Sequence, residues 1–256
     1  MLLFISISFL VPIVAALFGL GFGLKLYQHN QKAAKARSIS MEQLAQKLGL
    51  TFSGDDTFGL ATQLQGFDLF ERERSRWMRK GKITNVMRGL LGDTDVYLFD
   101  YSYKVSTGKS TKIVAQTVFF ANDKNWFLPN FQLEPERWWH KLKTKLGLDS
   151  DINFAENPKF SEKFWLKSEF EGIVREQFTP ELQGFLTEKP PAQLEGSNYY
   201  LIGYKPGKKL APQDAQIFFQ HCCEIVRLLQ AKGKLELLDL AELKQEPVLV
   251  KNERLG

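Results

Sequence analysis

Cysteine is almost absent from this sequence. Its 256 residues include two cysteines, Cys222 and Cys223, which are neighbours in the chain. A secreted domain stabilised by disulfides would carry more cysteines, spaced apart along the sequence. Adjacent cysteines can bridge only through a small strained ring, so we expect two reduced thiols, as in a cytoplasmic protein.

Motifs of known catalytic chemistry are also lacking. No Gly-x-Ser-x-Gly nucleophile elbow occurs. Residues 107–111, TGKST, resemble the end of a phosphate-binding loop, but Tyr103 stands where that loop needs its first glycine, so they predict a hairpin turn. His221, Cys222 and Cys223 are consecutive, and neighbouring side chains on a helix diverge by about 100°, which prevents them from sharing a metal ion. We therefore expect no catalytic residues, no cofactor and no metal site.

No charged residue interrupts the first part of the chain. Residues 2–24 read LLFISISFLVPIVAALFGLGFGL, and a helix of this length can cross about 30 Å of hydrocarbon. A cleaved signal peptide is the alternative, but it would need a basic start and small residues at its end, where Lys25, Leu26 and Tyr27 stand instead. The pattern predicts an uncleaved transmembrane helix and hence an integral, single-pass membrane protein.

Four basic residues follow this apolar run with no acidic residue among them: Lys25, Lys32, Lys35 and Arg37. Basic flanks stay on the cytoplasmic side of a membrane helix. We therefore predict an inner- or plasma-membrane protein whose N-terminus is outside and whose remaining chain is cytoplasmic. Residues 25–39 would form a basic juxtamembrane linker or helix beside anionic headgroups.

The chain as a whole has the composition of a folded protein, with 44% apolar and 25% charged residues. Ser40 and Gln43 form a capping box that predicts a helix start, and Gly49 ends that helix. Strand patterns follow, at residues 60–70, 85–91, 95–105, 110–121 and 126–133.

The second half of the chain shows a similar mixture of patterns. It predicts a helix at residues 136–146, short strands at 152–154 and 164–167, a helix at 170–178, a helix capped by Thr179, and a hairpin at 193–204 with its turn at 195–198. A long helix at residues 212–231 has an apolar face formed by Ile217, Phe218, Cys222, Ile225, Val226 and Leu229.

Short phrases recur along the chain and suggest a duplication. Residues 44–50, LAQKLGL, match residues 142–148, LKTKLGL, and the phrase YLxxY occurs at 97–101 and 200–204. Coincidence is the alternative, because such helix endings are common. The predicted fold class is α+β: an N-terminal transmembrane helix followed by antiparallel sheets with packed helices, with a duplicated helix-plus-sheet unit as a hypothesis. The predicted domains are an anchor at 1–24, a linker at 25–39, α+β units at 40–134 and 135–235, and a C-terminal tail at 236–256.

The densest basic segment is residues 72–88, RERSRWMRKGKITNVMR. Basic residues interleaved with an aromatic suit an anionic bilayer, and they also suit a protein partner or a nucleic acid. A solvated loop between two strands is the alternative. The residues predicted to form a contact surface are Arg74, Arg76, Trp77, Arg79, Lys80 and Lys82.

Five phrases across the chain carry a resemblance to a known group: residues 85–92 (NxxxGxxG), 99–103 (FDYxY), 151–154 (DINF), 158–161 (PxFS) and 178–181 (FTPE). By these phrases and its layout, the chain resembles a family of uncharacterised bacterial single-pass membrane-anchored proteins of unknown function. The resemblance implies a bacterial membrane protein and supplies no catalytic residues.

These features together predict a non-enzymatic, membrane-tethered cytoplasmic interaction module that binds a protein partner or the anionic membrane surface. We expect neither a nucleic-acid partner nor a small-molecule substrate. The alternative is an enzyme whose active site is assembled from dispersed residues without a motif. A deep pocket lined by titratable groups would favour the enzyme.

Overall fold

One antiparallel sheet organises the molecule. The computed structural model describes residues 7–71, 78–106, 108, 110–136, 151–189 and 193–245, with the backbone alone for 7–16, 18, 19, 78–80 and 231–245. The strands in this part of the chain are β1 (Thr51–Asp55), β2 (Met78–Leu91), β3 (Thr94–Ser106), β4 (Thr111–Asn122), β5 (Leu128–Pro135), β6 (Phe164–Ser168), β7 (Gln193–Asn198) and β8 (Tyr200–Tyr204). They pair antiparallel in the order β1-β2-β3-β4-β8-β7-β5-β6. The predicted α+β class with an antiparallel sheet is confirmed.

Helices precede, interrupt and follow these strands. In the described residues they are α1 (Ile7–Leu48), α2 (Leu60–Gln63), α3 (Asp68–Glu71), α4 (Pro158–Lys163), α5 (Glu171–Gln177), α6 (Pro180–Glu188) and α7 (Pro212–Gln245). Thr179 caps α6 as predicted, because its hydroxyl accepts the Leu182 N–H at 3.3 Å. The backbone of α7 stays helical into the segment predicted as a tail.

The two faces of the sheet carry different layers. Along β3, Leu98 and Asp100 point to one face while Tyr97, Phe99 and Tyr101 point to the other, as the alternation of a strand requires. Helices α1 and α4 to α7 pack on the first face. The short helices α2 and α3 cover part of the second face.

Helix α1 runs without interruption from Ile7 to Leu48. The predicted helix start at Ser40 is therefore wrong: its hydroxyl donates to the Ala36 carbonyl one turn back, at 3.0 Å, instead of capping a new helix. Between residues 25 and 48 no glycine or proline breaks the helix. It ends where predicted, at Gly49, whose φ of 68° favours glycine.

The predicted transmembrane segment overlaps the start of α1. Its first residues, 2–6, lie outside the described part of the chain. Where residues are described, none of the helices combines the length and the apolar character that crossing a membrane requires. The structure shows an N-terminal helix at this position.

Residues 60–70 form two short helices rather than the predicted strand. Leu60, Leu64 and Phe67 are four and three residues apart, which is the helical period, and all three are buried. The Asp56 carboxylate accepts the N–H groups of Leu60 and of the next residue at 2.8 and 2.9 Å, which fixes the start of α2.

Smaller differences concern the second half. Residues 152–154 form no strand. The turn between β7 and β8 is formed by Asn198, whose φ is 54°, and Tyr199, so it lies at the end of the predicted range rather than at its centre. On α7, Ile217 is 52% exposed while Phe219 and Cys223 are buried, so the apolar face is rotated from the predicted one.

Strands from both predicted α+β units meet in this single sheet. β4 pairs with β8 from Val118 opposite Tyr204 to Asn122 opposite Tyr200. The core cluster on the helix-covered face also combines side chains from both units. The duplication and the domain boundaries stay predictions.

Candidate functional site

An ion pair joins α1 to the middle of the sheet. The Arg37 guanidinium donates from Nε to Asp100 Oδ2 at 2.7 Å and from Nη2 to Oδ1 at 2.8 Å. The Asp100 side chain is 3% exposed and that of Arg37 is 16% exposed. A bidentate ion pair fixes both the distance and the relative orientation of its two side chains, so it holds α1 in one position on the sheet.

Asp100 has further partners on neighbouring strands. Asn85 of β2 donates to Oδ2 at 2.9 Å, and Thr117 of β4 donates to Oδ1 at 3.1 Å. The ammonium of Lys209 lies 3.5 Å from Oδ2. The buried carboxylate is therefore surrounded by donors, which is the condition under which a charge is tolerated away from water.

The same cluster fixes the segment that leads into α7. The Leu210 carbonyl accepts from Arg37 at 2.7 Å, and its N–H donates to Thr117 Oγ1 at 3.0 Å. Nearby, the Gly207 N–H donates to Gln116 Oε1 at 2.8 Å. One arginine thus ties together α1, the sheet and the approach to α7.

Asn85 reaches Asp100 because the backbone of β2 is irregular at that point. The register between β2 and β3 shifts between Thr84 and Met87, and Asn85 has φ 53°. Asparagine accepts this left-handed conformation more readily than most residues. The sequence patterns did not predict Asn85 or Asp100 as members of a site. The available signal for Asp100 is an aspartate inside the otherwise apolar strand pattern DVYLFDYSYKV.

The four predicted juxtamembrane residues separate into two groups. Lys25, Lys32 and Lys35 are exposed along α1, whereas Arg37 is held by Asp100. N-terminal to the lysines, described side chains on α1 are apolar and 60–67% exposed: Leu17, Leu20, Phe22 and Leu24. The exposed side chains of α1 are therefore apolar near its N-terminal end and basic in its middle. Toward its C-terminal end, α1 is attached to the sheet by Arg37.

The predicted contact surface is described only in part. Arg74, Arg76 and Trp77 lie outside the described residues. Arg79 and Lys80 lie on β2 in a stretch described by its backbone alone. Their grouping into one surface stays a prediction.

Lys82 is the member of this set whose side chain is described. It is exposed, and its ammonium lies 3.7 Å from Asp55 of β1. Register places Arg79 opposite Lys104 and Lys82 opposite Ser102 of β3. The described part of the segment is therefore at the outer end of β2, beside the β3–β4 hairpin.

A cavity of about 510 Å³ lies where the α2–α3 segment meets β5, β6 and β7. Glu195 at this cavity is buried, and its two carboxylate oxygens accept the Tyr204 hydroxyl at 2.6 Å and the Asp68 N–H at 2.8 Å. These contacts tie β7 to β8 and to α3. We assign Glu195 a structural role, since both of its oxygens hold the fold together.

A second cavity, of about 320 Å³, is lined by Lys189, Lys205 and His221. Burial, and then the nearby charges of these two lysines, lower the pKa of His221. Burial raises the pKa of Cys223 to about 12 and that of Cys222 well above its usual 9.0. Neutral buried thiols are poor nucleophiles at physiological pH. Within the described residues, no group of three or more histidine, cysteine or acidic side chains could hold a metal ion.

Comparisons with known proteins add little to this geometry. No family model and no curated protein matches the chain, which agrees with its resemblance to proteins that are uncharacterised. A solved structure with a related arrangement is the mycobacterial trehalose monomycolate transport factor A, at 11% identity and a TM-score of 0.48 over 75% of this chain and 95% of that one. Similarity at this level transfers no function.

Proposed function

We propose that this chain is a membrane-tethered interaction module. Residues 2–24 form a single-pass anchor in the inner or plasma membrane, with the N-terminus outside. The sheet domain lies at the cytoplasmic leaflet, where it binds a protein partner or the anionic lipid surface. The observation that carries the proposal is the two-part character of α1, which is apolar and uncovered at one end and locked into the core at the other.

The uncovered apolar end supports an anchor. Leu17, Leu20, Phe22 and Leu24 are each at least 60% exposed, and they continue a run without charge that begins at residue 2. Contiguous apolar surface of this kind is uncommon on monomeric soluble proteins. Transfer into hydrocarbon stabilises it by about 25 cal/mol per Å² removed from water.

The locked end supports a tether of fixed length. Leu24 and Arg37 are thirteen residues apart on one helix, which corresponds to about 20 Å. A flexible linker would let the domain move freely, whereas a continuous helix held by Asp100 transmits its orientation to the sheet. The three lysines on the intervening turns would face anionic headgroups.

The contact surface in this proposal is the basic segment that begins at Arg74. It includes Arg74, Arg76, Trp77, Arg79, Lys80 and Lys82. Alternating basic residues and a tryptophan suit the boundary between headgroups and hydrocarbon.

Fractionation of the full chain in a bacterial host tests the anchor. We expect the chain in the membrane pellet after an alkaline carbonate wash, and we expect Leu10→Lys with Ile13→Lys to shift it to the supernatant, because each lysine costs about 3 kcal/mol near the centre of a membrane helix. Leu90→Lys with Ile217→Lys is the matched control, since both leucine and isoleucine are exposed on the domain. Recovery of the unaltered chain in the supernatant would overturn the proposal.

Thiol labelling tests the orientation. Cys222 and Cys223 are buried, so a cysteine introduced elsewhere is labelled selectively. An impermeant maleimide added to intact cells should label a cysteine in a short polar extension placed before Leu2, and should label Lys35→Cys only after lysis. The opposite pattern would show that the domain lies outside.

A further inference from the structure

The outer ends of three neighbouring strands extend beyond the rest of the sheet. They consist of residues 78–84 of β2, 101–106 of β3 and 111–117 of β4, which we call the basic arm. β4 and β8 pair only at residues 118–122 of β4, so the arm continues past that junction. Burial changes along it, from the buried Tyr101 and Gln116 at its base to the exposed Lys104, Lys112 and Ile113 near its end.

Charge is segregated on the basic arm. Residues 78–84 and 101–117, which include the turn that joins β3 to β4, contain no acidic residue. Their basic residues are Arg79, Lys80, Lys82, Lys104, Lys109 and Lys112. Across the sheet, Asp55 of β1 lies 3.7 Å from Lys82. The segment before α7 lies against β4 through the Thr117 N–H to Lys208 carbonyl contact at 3.2 Å, and it adds Lys205 and Lys208. Lys209 of the same segment is directed to Asp100 instead.

The basic arm and the apolar end of α1 leave the domain toward the same side. At the C-terminal end of α1, Leu50 packs so closely on Gly89 that a Cβ there would collide with it, and Gly89 lies opposite Val96 in the register. Further back along α1, Arg37 meets Asp100, which is nearer the hairpin end of β3. Following α1 toward its N-terminus therefore means moving along β3 toward the arm.

The two extensions also have similar reach. From Asp100 to Ser106, β3 spans six residues, or about 20 Å. From Arg37 to Leu24, α1 spans thirteen residues, also about 20 Å. Both extensions therefore reach about 20 Å from the Arg37–Asp100 pair.

We infer that the basic arm docks on anionic lipid headgroups as a second contact beside the helix, and so sets the orientation of the domain on the membrane. This inference rests on the proposed function, because it needs α1 to be in the bilayer. The chemistry at the end of the arm fits a lipid surface: Lys104 and Lys112 supply charge, and Ile113, 63% exposed, is an apolar side chain that can enter the interface.

The test uses the full chain reconstituted in vesicles that contain a headgroup-level quencher. A fluorophore on Ile113→Cys reports the arm, and one on Phe127→Cys is the matched control, because Phe127 is 78% exposed and follows the opposite end of β4. We expect strong quenching at position 113 and weak quenching at 127 in vesicles rich in phosphatidylglycerol. Position 113 should lose most of its quenching in pure phosphatidylcholine, where the surface charge is absent.

Charge reversal separates lipid docking from mere proximity. In the Ile113→Cys background, Lys104→Glu with Lys112→Glu should weaken docking about fivefold or more, since one lysine near an anionic surface alone contributes about that factor. Lys124→Glu with Lys159→Glu makes the same change in net charge at exposed sites outside the arm and should leave quenching unchanged. Urea unfolding of each variant checks that the fold is intact.

The outcomes distinguish this inference from the proposed function. The arm contact is refuted if the chain pellets with vesicles after an alkaline wash but quenching is equal at positions 113 and 127. It is also refuted if quenching changes with neither lipid charge nor charge reversal. Both results leave the anchor in place. Chain that does not stay with the vesicles refutes the proposed function itself.

Discussion

Arg37 shows how one residue can matter more than its neighbours of the same charge. Lys32 and Lys35 are exposed on α1, while Arg37 is drawn into a nearly dry cluster with Asp100. Replacing a partner in such a pair leaves a buried charge without compensation, which costs far more than losing a surface charge. The position of α1 on the sheet therefore depends on one side chain that its sequence context does not distinguish from a topology signal.

Arg37→Met should lower the free energy of unfolding by about 3 kcal/mol, because of the described partners the Asp100 carboxylate then keeps Asn85, Thr117 and Lys209 but loses its bidentate cation. Urea titration of the full chain in mild detergent measures this. Lys35→Met is the control and should change the free energy by less than about 0.5 kcal/mol, as expected for an exposed site. Equal effects of the two substitutions would contradict the role given to the ion pair.

Cys223 makes a pH-dependent contribution whose sign follows from burial. Its pKa is about 12 in the folded chain against 9.0 for the free group, so the unfolded thiol ionises first as the pH rises. The stability that it contributes is complete below about pH 9 and is lost between about pH 9 and 12. From about pH 7 to 10, the unaltered chain should lose about 1.4 kcal/mol more than Cys223→Ala in urea titrations. A parallel loss in both chains would rule out this effect.

At the scale of elements, α1 acts as a rigid spacer between two different environments. Residues 21–36 are exposed on all sides and touch no other element through the contacts described. Their helical state therefore contributes little to the domain's own stability, but it defines the angle between the domain and the apolar end of the helix. Stability and orientation can be separated experimentally at these positions.

Ala33→Pro should break the spacer without unfolding the domain. Proline removes the hydrogen bond to residue 29 and clashes with that carbonyl, which kinks the helix. We expect the urea midpoint of the sheet domain to stay unchanged and the quenching at Ile113→Cys to fall, because the arm is no longer held at the membrane level. Ala33→Ser is the matched control and should alter neither. A large loss of domain stability in Ala33→Pro would mean that α1 is not a spacer.

Elements with a clear period were predictable, and elements defined by distant contacts were not. The hairpin of β3 and β4, with its aromatic and β-branched residues, and the Thr179 cap of α6 follow from local patterns. Leu60, Leu64 and Phe67 have helical spacing in a segment whose composition predicts a strand, and Ser40 predicts a cap at a point where no residue stops the helix. Both errors come from weighing single residues above the period.

The candidate site could not be predicted from the sequence, because it depends on contacts between residues that are far apart in the chain. Arg37 and Asp100 are 63 positions apart, and the bulge that turns Asn85 toward them depends on the pairing of β2 with β3. The basic pattern after the apolar run groups Arg37 with the exposed lysines, although Arg37 is paired with Asp100. Of the basic arm, the sequence predicts only the basic segment around Lys82. Lys104 and Lys112 come next to that segment through the pairing of β2, β3 and β4.

At the scale of the whole molecule, the central question is whether the two predicted units fold separately. The sheet passes from one to the other through the β4–β8 pairing, and Phe119 of the first packs on Phe219 of the second, with ring centroids 5.8 Å apart. The helix-covered core includes Leu98 of β3 and Leu166 of β6, both fully buried. A duplication in the past is compatible with one cooperative core in the present chain.

Large-to-small substitutions in each unit test this cooperativity. Leu98→Ala and Leu166→Ala each remove a fully buried side chain, so each should cost about 2–5 kcal/mol. If the core is shared, each substitution shifts the whole unfolding curve, and far-UV circular dichroism and tryptophan fluorescence move together in both variants. Independent units would instead give two transitions, with each substitution moving only one of them. We expect the single transition, because separating the units would break the β4–β8 ladder and expose the apolar side chains that the two units now bury against each other.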